Sequence, residues 1–427
     1  MPHNAFYAQS GGVTAVINAS AAGVINEVME NPEQIGKLYA GKDGILGALH
    51  EELIDVSALT DADLSALAHT PAGAFGSCRY KLKSLEEHGE EYRRILAVFE
   101  AHDIRYFFYN GGGDSQDTAH KMAQKAEQMN YLLTCIGIPK TIDNDLPITD
   151  CSPGFGSAAK YAAVSCLEAS FDIASMHSTS TKVFVMEVMG RHAGWIAAAT
   201  GLARDERGLG PDLILLPEVA FDEAAFFEQV QACVARQGFC VVTVSEGLKD
   251  TRGEFLSARG STDAFGHSQL GGVAPIIADL VTQKLSLKCH SAVCDYLQRA
   301  ARHIASQTDL DQALALGRAA VRYALAGENA IMPILVRTQD EPYQWRIDKV
   351  PLSEVANREK TLPAEFISAD GFHITELARR YLSPLVEGEA YPPYKRGLPS
   401  YRRLAINGNN TLAKKLPPYQ DTSSQKP

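Results

Sequence analysis

Ile104-Arg105-Tyr106-Phe107-Phe108-Tyr109-Asn110-Gly111-Gly112-Gly113-Asp114-Ser115 reads as an apolar strand that breaks at three glycines. A helix pattern follows from 117 to 128, and a second apolar run, 131–138, stops at Pro139. Strand, glycine turn, helix, strand is the rhythm of a parallel sheet with helices on both faces. The chain opens the same way, with a strand candidate at 4–8, then Gly11-Gly12, then an Ala/Val/Ile-rich helix pattern from 14 to about 30. Strand candidates recur at 182–188, 213–216 and 240–244, with a helix pattern at 222–237. From about Gly272 the pattern predicts mainly helix, and 417–427 a polar tail.

A chain of 427 residues exceeds one hydrophobic core, since cores stop growing at roughly 250–300 residues. The expected fold is therefore α/β, as two Rossmann-like domains with mainly parallel sheets flanked by helices. The first spans 1–150 and is completed by part of 270–335, the second spans 151–270, and 336–427 is a mainly helical segment packed on the second. With 40 Lys plus Arg against 51 Asp plus Glu, the net charge of −11 argues against a nucleic-acid partner. No basic and apolar leader opens the sequence, and no apolar run approaches the roughly 20 residues that cross a bilayer. The eight cysteines form no Cys-x-x-Cys pair, which fits reduced thiols and a cytoplasmic protein without a membrane partner.

In open α/β sheets ligands bind beyond the carboxyl ends of the strands, so the corners carry the chemistry. Ser10-Gly11-Gly12 leads from a strand toward a helix N-terminus, where glycine lets backbone approach a phosphate; a turn needed only for packing reads the same. In Gly111-Gly112-Gly113-Asp114-Ser115, Asp114 and Ser115 either face a metal or cap the helix. Pro139-Lys140-Thr141-Ile142-Asp143-Asn144-Asp145 ends a buried strand with two carboxylates, an amide, a hydroxyl and a cation. The Asp-x-Asp spacing lets one carboxylate act as general base while the other orients it or helps hold a metal. Lysine there can neutralise charge on a transferring phosphoryl group.

Together the Gly11-Gly12 turn, the loop at 111–115, the 139–145 corner and Met189-Gly190-Arg191, in that order, resemble the phosphofructokinase family, and within it the pyrophosphate-dependent members. Gly154-Phe155-Gly156-Ser157 extends the likeness, which covers nearly the whole chain. The resemblance implies reversible transfer of a phosphoryl group from Mg-pyrophosphate to the 1-hydroxyl of fructose 6-phosphate, giving fructose 1,6-bisphosphate and phosphate, in glycolysis or gluconeogenesis. It implies Mg2+ as cofactor and a homodimer or homotetramer. The first domain would then hold the phosphoryl donor and the second the sugar phosphate.

Residue by residue, Asp143 matches the proton acceptor and Asp145 the acidic residue that organises magnesium. Thr141 and Ile142 match the segment at the sugar phosphate or transferring phosphoryl group. Met189, Gly190 and Arg191 match the sugar-phosphate loop, and Glu246 a carboxylate that accepts from sugar hydroxyls. Arg79 matches an arginine that stabilises the transferring phosphate. Tyr296 and Arg299 belong to an element that ends on the 6-phosphate, and Lys182 stands where the family has an arginine donated across a subunit boundary. Gly11, Gly12, Gly112, Gly113, Asp114, Ser115 and Lys140 make up the diphosphate side.

The donor turns on Asp114 and Lys140, both glycine in bacterial ATP-dependent members. A carboxylate at 114 would face the α-phosphate of ATP at a cost of several kcal/mol at an effective dielectric of about 20. Lys140 would offset the charge of a pyrophosphate that has no adenosine to anchor it. Two departures from the family stand out. Gly113 lacks the acidic or amide side chain many members use for magnesium, which leaves Asp114 and Asp145 as metal candidates. The Gly266-to-Gly272 stretch matches only partly, so His267 is read as opening an inserted helix. The rival readings are an ATP-dependent phosphofructokinase, a non-catalytic sugar-phosphate-binding regulatory subunit, and a nucleotide-binding dehydrogenase. The last is disfavoured because no G-x-G-x-x-G follows the first strand.

Overall fold

A computed structural model of the chain describes residues 2–80, 82, 89–204, 208–257, 259–262, 268–402 and 410–420. Its first half is built on β1 (His3–Gln9), α1 (Ile17–Met29), β2 (Ile35–Gly41), α2 (Ile45–His50), β3 (Leu53–Asp55), α3 (Asp61–Ala68), α4 (Gly89–Ala101), β4 (Ile104–Gly111), α5 (Gly113–Gln128), β5 (Thr134–Pro139) and α6 (Phe155–Met176). Next come β6 (Val183–Val188), α7 (Trp195–Thr200), β7 (Leu213–Leu215), α8 (Glu223–Gln237), β8 (Cys240–Ser245) and a hairpin of β9 (Arg259–Thr262) with β10 (Ser268–Gln269). The last part holds α9 (Val273–Leu285), β11 (Cys289–Val293), α10 (Asp295–Ala300), α11 (Gln307–Leu325), β12 (Ile331–Gln339), β13 (Gln344–Pro351), α12 (Leu352–Val355) and α13 (Glu376–Leu382). It ends in a small hairpin, β14 (Tyr394–Lys395) with β15 (Leu398–Pro399).

Two sheets organise these elements. The larger runs β13-β12-β5-β4-β1-β2-β3, and the smaller, β11-β6-β8-β7, is parallel throughout. Strands covered on both sides read as unbroken apolar runs, and β1 shows why. Ala5 and Tyr7 face a core shared with α1 and α11, whereas Phe6 and Ala8 face one shared with α4 and α5. Helices α1 and α11 cross at two reciprocal glycines. A Cβ at Gly23 would lie 2.3 Å from the Leu314 carbonyl, and one at Gly317 2.2 Å from that of Ser20. The smaller sheet likewise separates two cores, one against α6 and α7 and one against α8 and α9.

The last third departs from the expected helical character. β11 supplies the edge of the smaller sheet, although four of its five residues are exposed and offer no apolar run to read. The segment from 336, expected to be mainly helical, opens with the end of β12 and all of β13, an antiparallel pair on the larger sheet. Only later does it reach the smaller sheet, where Phe366, Ile374, Leu382 and Leu385 pack with α6 and α7. The chain then returns to the far edge of the larger sheet. There Asp55 N donates to Asn410 O at 2.8 Å and Leu412 N to Leu53 O at 2.9 Å. His267 and residues 421–427 of the tail lie outside the described residues. No helix among the described residues is long and apolar enough to cross a membrane.

Candidate active site

β1 and β4 are neighbours in the larger sheet, yet β1 leads on toward β2 and β4 toward β5 on the other side. Such a switch point opens a crevice at the strand ends, and the first two glycine corners meet there. Ser10 N donates to Asn110 O at 2.9 Å, and Ser115 Oγ to Ser10 Oγ at 2.8 Å. A Cβ at Gly111 would lie 2.0 Å from Ser115 Oγ, so glycine lets α5 start hard against the end of β1. A Cβ at Gly113 would meet nothing within 4 Å, so the first turn of α5 opens onto the crevice. The Ser10-Gly11-Gly12 corner differs from expectation. Four residues separate it from α1, and its backbone is engaged within the fold: Gly11 N donates to Cys78 O at 2.9 Å and Gly11 O accepts from Ser77 Oγ at 2.8 Å.

The third corner follows β5. Asn144 sits at φ 52°, its Oδ1 accepting from Ser152 N at 3.1 Å and its Nδ2 donating to Tyr381 Oη at 3.3 Å. Asp143 N donates to Thr141 Oγ1 at 3.1 Å. This tight turn puts Asp143 and Asp145, on either side of a structural asparagine, in the same cleft wall. Lys140 is buried and its Nζ donates to Gly12 O at 2.5 Å, tying the third corner to the first. Gly154-Phe155-Gly156-Ser157 serves packing. Gly154 N (2.8 Å), Ser157 N (2.9 Å) and Ser157 Oγ (2.5 Å) all donate to buried Asp309.

The opposite wall comes from the smaller sheet. Gly190, at φ 137°, lies so close to β8 that a Cβ would stand 2.9 Å from Ser245 Oγ, and 2.6 Å from Ala193 O in its own loop. Ser245 Oγ donates to Gly190 O at 2.5 Å, and Gly190 N to Glu246 Oε1 at 3.4 Å. Buried Gln298 accepts from Met189 N at 3.1 Å, which docks α10 on this loop. The Arg299 guanidinium lies over the Tyr296 ring at 3.8 Å and reaches across to Gly12, where Arg79 also arrives.

A cleft of about 1080 Å³ lies between these walls. It is lined by Gly11, Gly12, Arg79, Gly112, Gly113, Asp114, Ser115, Lys140, Thr141, Ile142, Asp143, Asp145, Met189, Arg191, Glu246, Tyr296 and Arg299. Gly190 shapes the loop behind them. Lys182 is not brought in. It precedes β6, at the end of that strand away from Met189, where its amide pairs with Lys288 O. Glu187, Gln298, Asn357, Arg358 and Glu359 also line or support the cleft and were not singled out from the sequence. Glu187 accepts from Gly272 N and Ala274 N, capping α9, a role visible only once the chain is folded.

Burial and like charge push Lys140, Asp143, Asp145, Glu246 and Arg299 toward neutrality. Lys140 is brought down to about 8, by burial first and by Arg299 second. Asp143 is raised to about 8 by burial, then by Asp145 and Glu246. Asp145 is raised by burial and by Glu359, and Glu246 by burial with Glu187 adding to it. Arg299 is lowered by burial and by Arg79. Asp145 Oδ1 is buried with no hydrogen-bond partner among the described residues. An oxygen in that state, beside a second carboxylate, suits a hard divalent cation. The other close acidic and thiol group, Asp212 with Cys233 and Cys240, does not suit one. Asp212 already accepts from Arg204, Gln237 and Val241 N.

Residues 4–324 match the phosphofructokinase family. The pyrophosphate–fructose 6-phosphate 1-phosphotransferase of Halomonas elongata is 60% identical over 418 residues, covering 98% of this chain and 99% of its own. That of Methylococcus capsulatus is 60% identical over 413 residues, covering 97% and 98%. The crystal structure of a pyrophosphate-dependent phosphofructokinase from Nitrosospira multiformis superposes with a TM-score of 0.90 at 56% identity, over 98% of this chain and 100% of that one.

Proposed function

The chain belongs to the phosphofructokinase family, and from that premise we propose that it moves a phosphoryl group from pyrophosphate to the 1-hydroxyl of fructose 6-phosphate. The products are fructose 1,6-bisphosphate and phosphate. Exchange of a phosphoanhydride for a phosphoester and phosphate leaves the reaction close to reversible. One observation carries the reading: a single cleft holds Asp114 at the open start of α5 and the Lys140–Asp143–Asp145 corner at the end of β5.

In this reading the larger sheet holds the donor and the smaller one the sugar phosphate. Gly11, Gly12 and Gly112 to Ser115 receive pyrophosphate with Lys140, while Arg79 and Arg299 converge where charge passes between the two substrates. Met189, Gly190, Arg191, Glu246, Tyr296 and Arg299 hold fructose 6-phosphate. Asp143 takes the proton of the 1-hydroxyl as it attacks, and Thr141 fixes the turn that aims it. Family members use a divalent metal; here we assign Mg2+, with Asp145 and Asp114, which line the same cleft, as the residues that hold it. The metal, when bound, neutralises charge on the transferring group. Asp114 excludes ATP by setting a carboxylate against its extra phosphate. We also propose a cytoplasmic homo-oligomer, supported by eight free cysteines and by exposed Phe171, Val293, Tyr296 and Leu297 beside the open edge of β11. Lys182, at the start of the neighbouring strand, would act only toward a second copy.

The test is the initial rate of fructose 1,6-bisphosphate formation with pyrophosphate or ATP as donor. Turnover with pyrophosphate and little with ATP is expected. Turnover with ATP alone would overturn the donor assignment, and turnover with neither would favour a non-catalytic sugar-phosphate-binding subunit.

A further inference from the structure

Asn357, Arg358 and Glu359 come from the C-terminal segment, more than 200 residues beyond the catalytic corner in sequence, yet all three line the cleft. The loop is pinned on both sides. Asn357 adopts φ 58° and its Nδ2 donates to Oδ1 of Asp117 at 3.0 Å. Asp117 lies one turn along α5 from Asp114 and is itself held by Lys121 at 2.5 Å. On the other side Lys360 N donates to Asp145 O at 2.6 Å. Lys360 Nζ donates to Thr149 O and Asp150 O at 3.0 and 2.9 Å. Glu359 pairs with His192, next to Arg191, at 2.8 Å.

Between these anchors Arg358 is exposed, and its side chain makes no hydrogen bond or ion pair among the described residues. Of the other cations lining the cleft, Lys140 is turned to Gly12 O, Arg79 and Arg299 meet at Gly12, and Arg191 lies on the opposite wall. Arg358, by contrast, is carried on a loop bonded to α5 through Asn357 and Asp117, one turn from Asp114. A diphosphate seated there needs a cation at its far end. A guanidinium on a loop already fixed in place supplies one with two parallel donors and little ordering cost.

We propose that Arg358 binds the leaving phosphate of pyrophosphate, so that the 357–360 loop determines donor affinity. The proposal rests on the pyrophosphate reading above. Its test compares wild type with Arg358→Ala and Arg358→Lys in both directions of the reaction. In Arg358→Ala the KM for pyrophosphate, and for phosphate in reverse, should rise roughly 10–100-fold, the loss of one charge-assisted bidentate pair. The KM for each sugar phosphate should stay within twofold, and lysine should restore part of the loss. An unchanged KM for pyrophosphate, or a fall in kcat alone, overturns the assignment.

Melting in the presence of Mg-pyrophosphate gives a readout that needs no turnover. A ligand-induced rise in wild type that is reduced in Arg358→Ala supports the site, and equal rises or none refute it. Failure of the donor reading itself would instead show as wild-type turnover with ATP alone.

Discussion

Replacing Asp143 by asparagine keeps the shape of the catalytic corner and removes its charge, so it should lower turnover and raise the stability of the empty protein together. A positioned general base contributes typically 10²–10⁴-fold. We therefore expect kcat to fall by about 10³, with the KM for fructose 6-phosphate changed less than threefold. The stability effect follows from burial. Asp143 is raised from 3.8 to about 8, so the folded state holds its proton more tightly than the unfolded state. The stability this contributes is complete below the unfolded value of 3.8 and is lost progressively as pH rises to about 8. At roughly 1.4 kcal/mol per pH unit, the loss between pH 5 and pH 8 is bounded at about 4 kcal/mol. Asp145 shares the burden, and the observable part for one substitution is about 2 kcal/mol.

The assay is urea denaturation of wild type and Asp143→Asn with chelator at pH 5.5 and pH 8.5, beside a coupled rate assay at neutral pH. The stabilisation should be larger at pH 8.5. A gain equal at the two pH values would refute the buried-charge reasoning. Turnover within tenfold of wild type would remove Asp143 as the base.

Two further outcomes follow from the same geometry. Asp114→Gly removes the carboxylate from the open start of α5 and should raise kcat/KM for ATP by at least 100-fold; initial rates that leave ATP unused would show that the block lies elsewhere. Asp309→Ala leaves Gly154 N, Ser157 N and Ser157 Oγ as buried donors without their acceptor. It should cost about 3–5 kcal/mol in a urea titration at unchanged m, and a loss below about 1 kcal/mol would mean that water replaces the carboxylate.

What could be read from the sequence was what local chemistry determines. β4 and β5 are buried on both faces, so their apolar runs announce themselves, and the polar corners after them stand out by contrast. β11 lies at a sheet edge with exposed residues such as His290, so nothing periodic marks it. β13 instead carries a short alternation, Trp345 and Ile347 against Gln344, Arg346 and Asp348, that was missed beneath the expected helical pattern. Gly154 to Ser157 was legible as a family string but not in its physical role, because its partner Asp309 is some 150 residues away. The 357–360 loop was invisible for the same reason. Asn357, Arg358 and Glu359 look like solvated polar residues until Asp117, Asp145 and His192 fix them against the cleft.

Lys140 and Asp143 both titrate near pH 8, but from opposite sides. Burial thus favours the neutral form of each, so Asp143 holds its proton more tightly than in water and Lys140 gives its own up more readily. Arg191 and Lys140 already favour the ionised form of Asp143 and are outweighed by burial, Asp145 and Glu246. On the proposed assignment, Asp145 with a divalent cation bound would no longer repel Asp143, whose value would then move toward its ordinary range. An incoming phosphate has the matching effect on Lys140, holding its proton in place. On the proposed assignment the corner would reach its working charge state with metal and anion both bound. On that reading the burial that destabilises the empty site would also hold Asp143 back as a base until there is something to transfer.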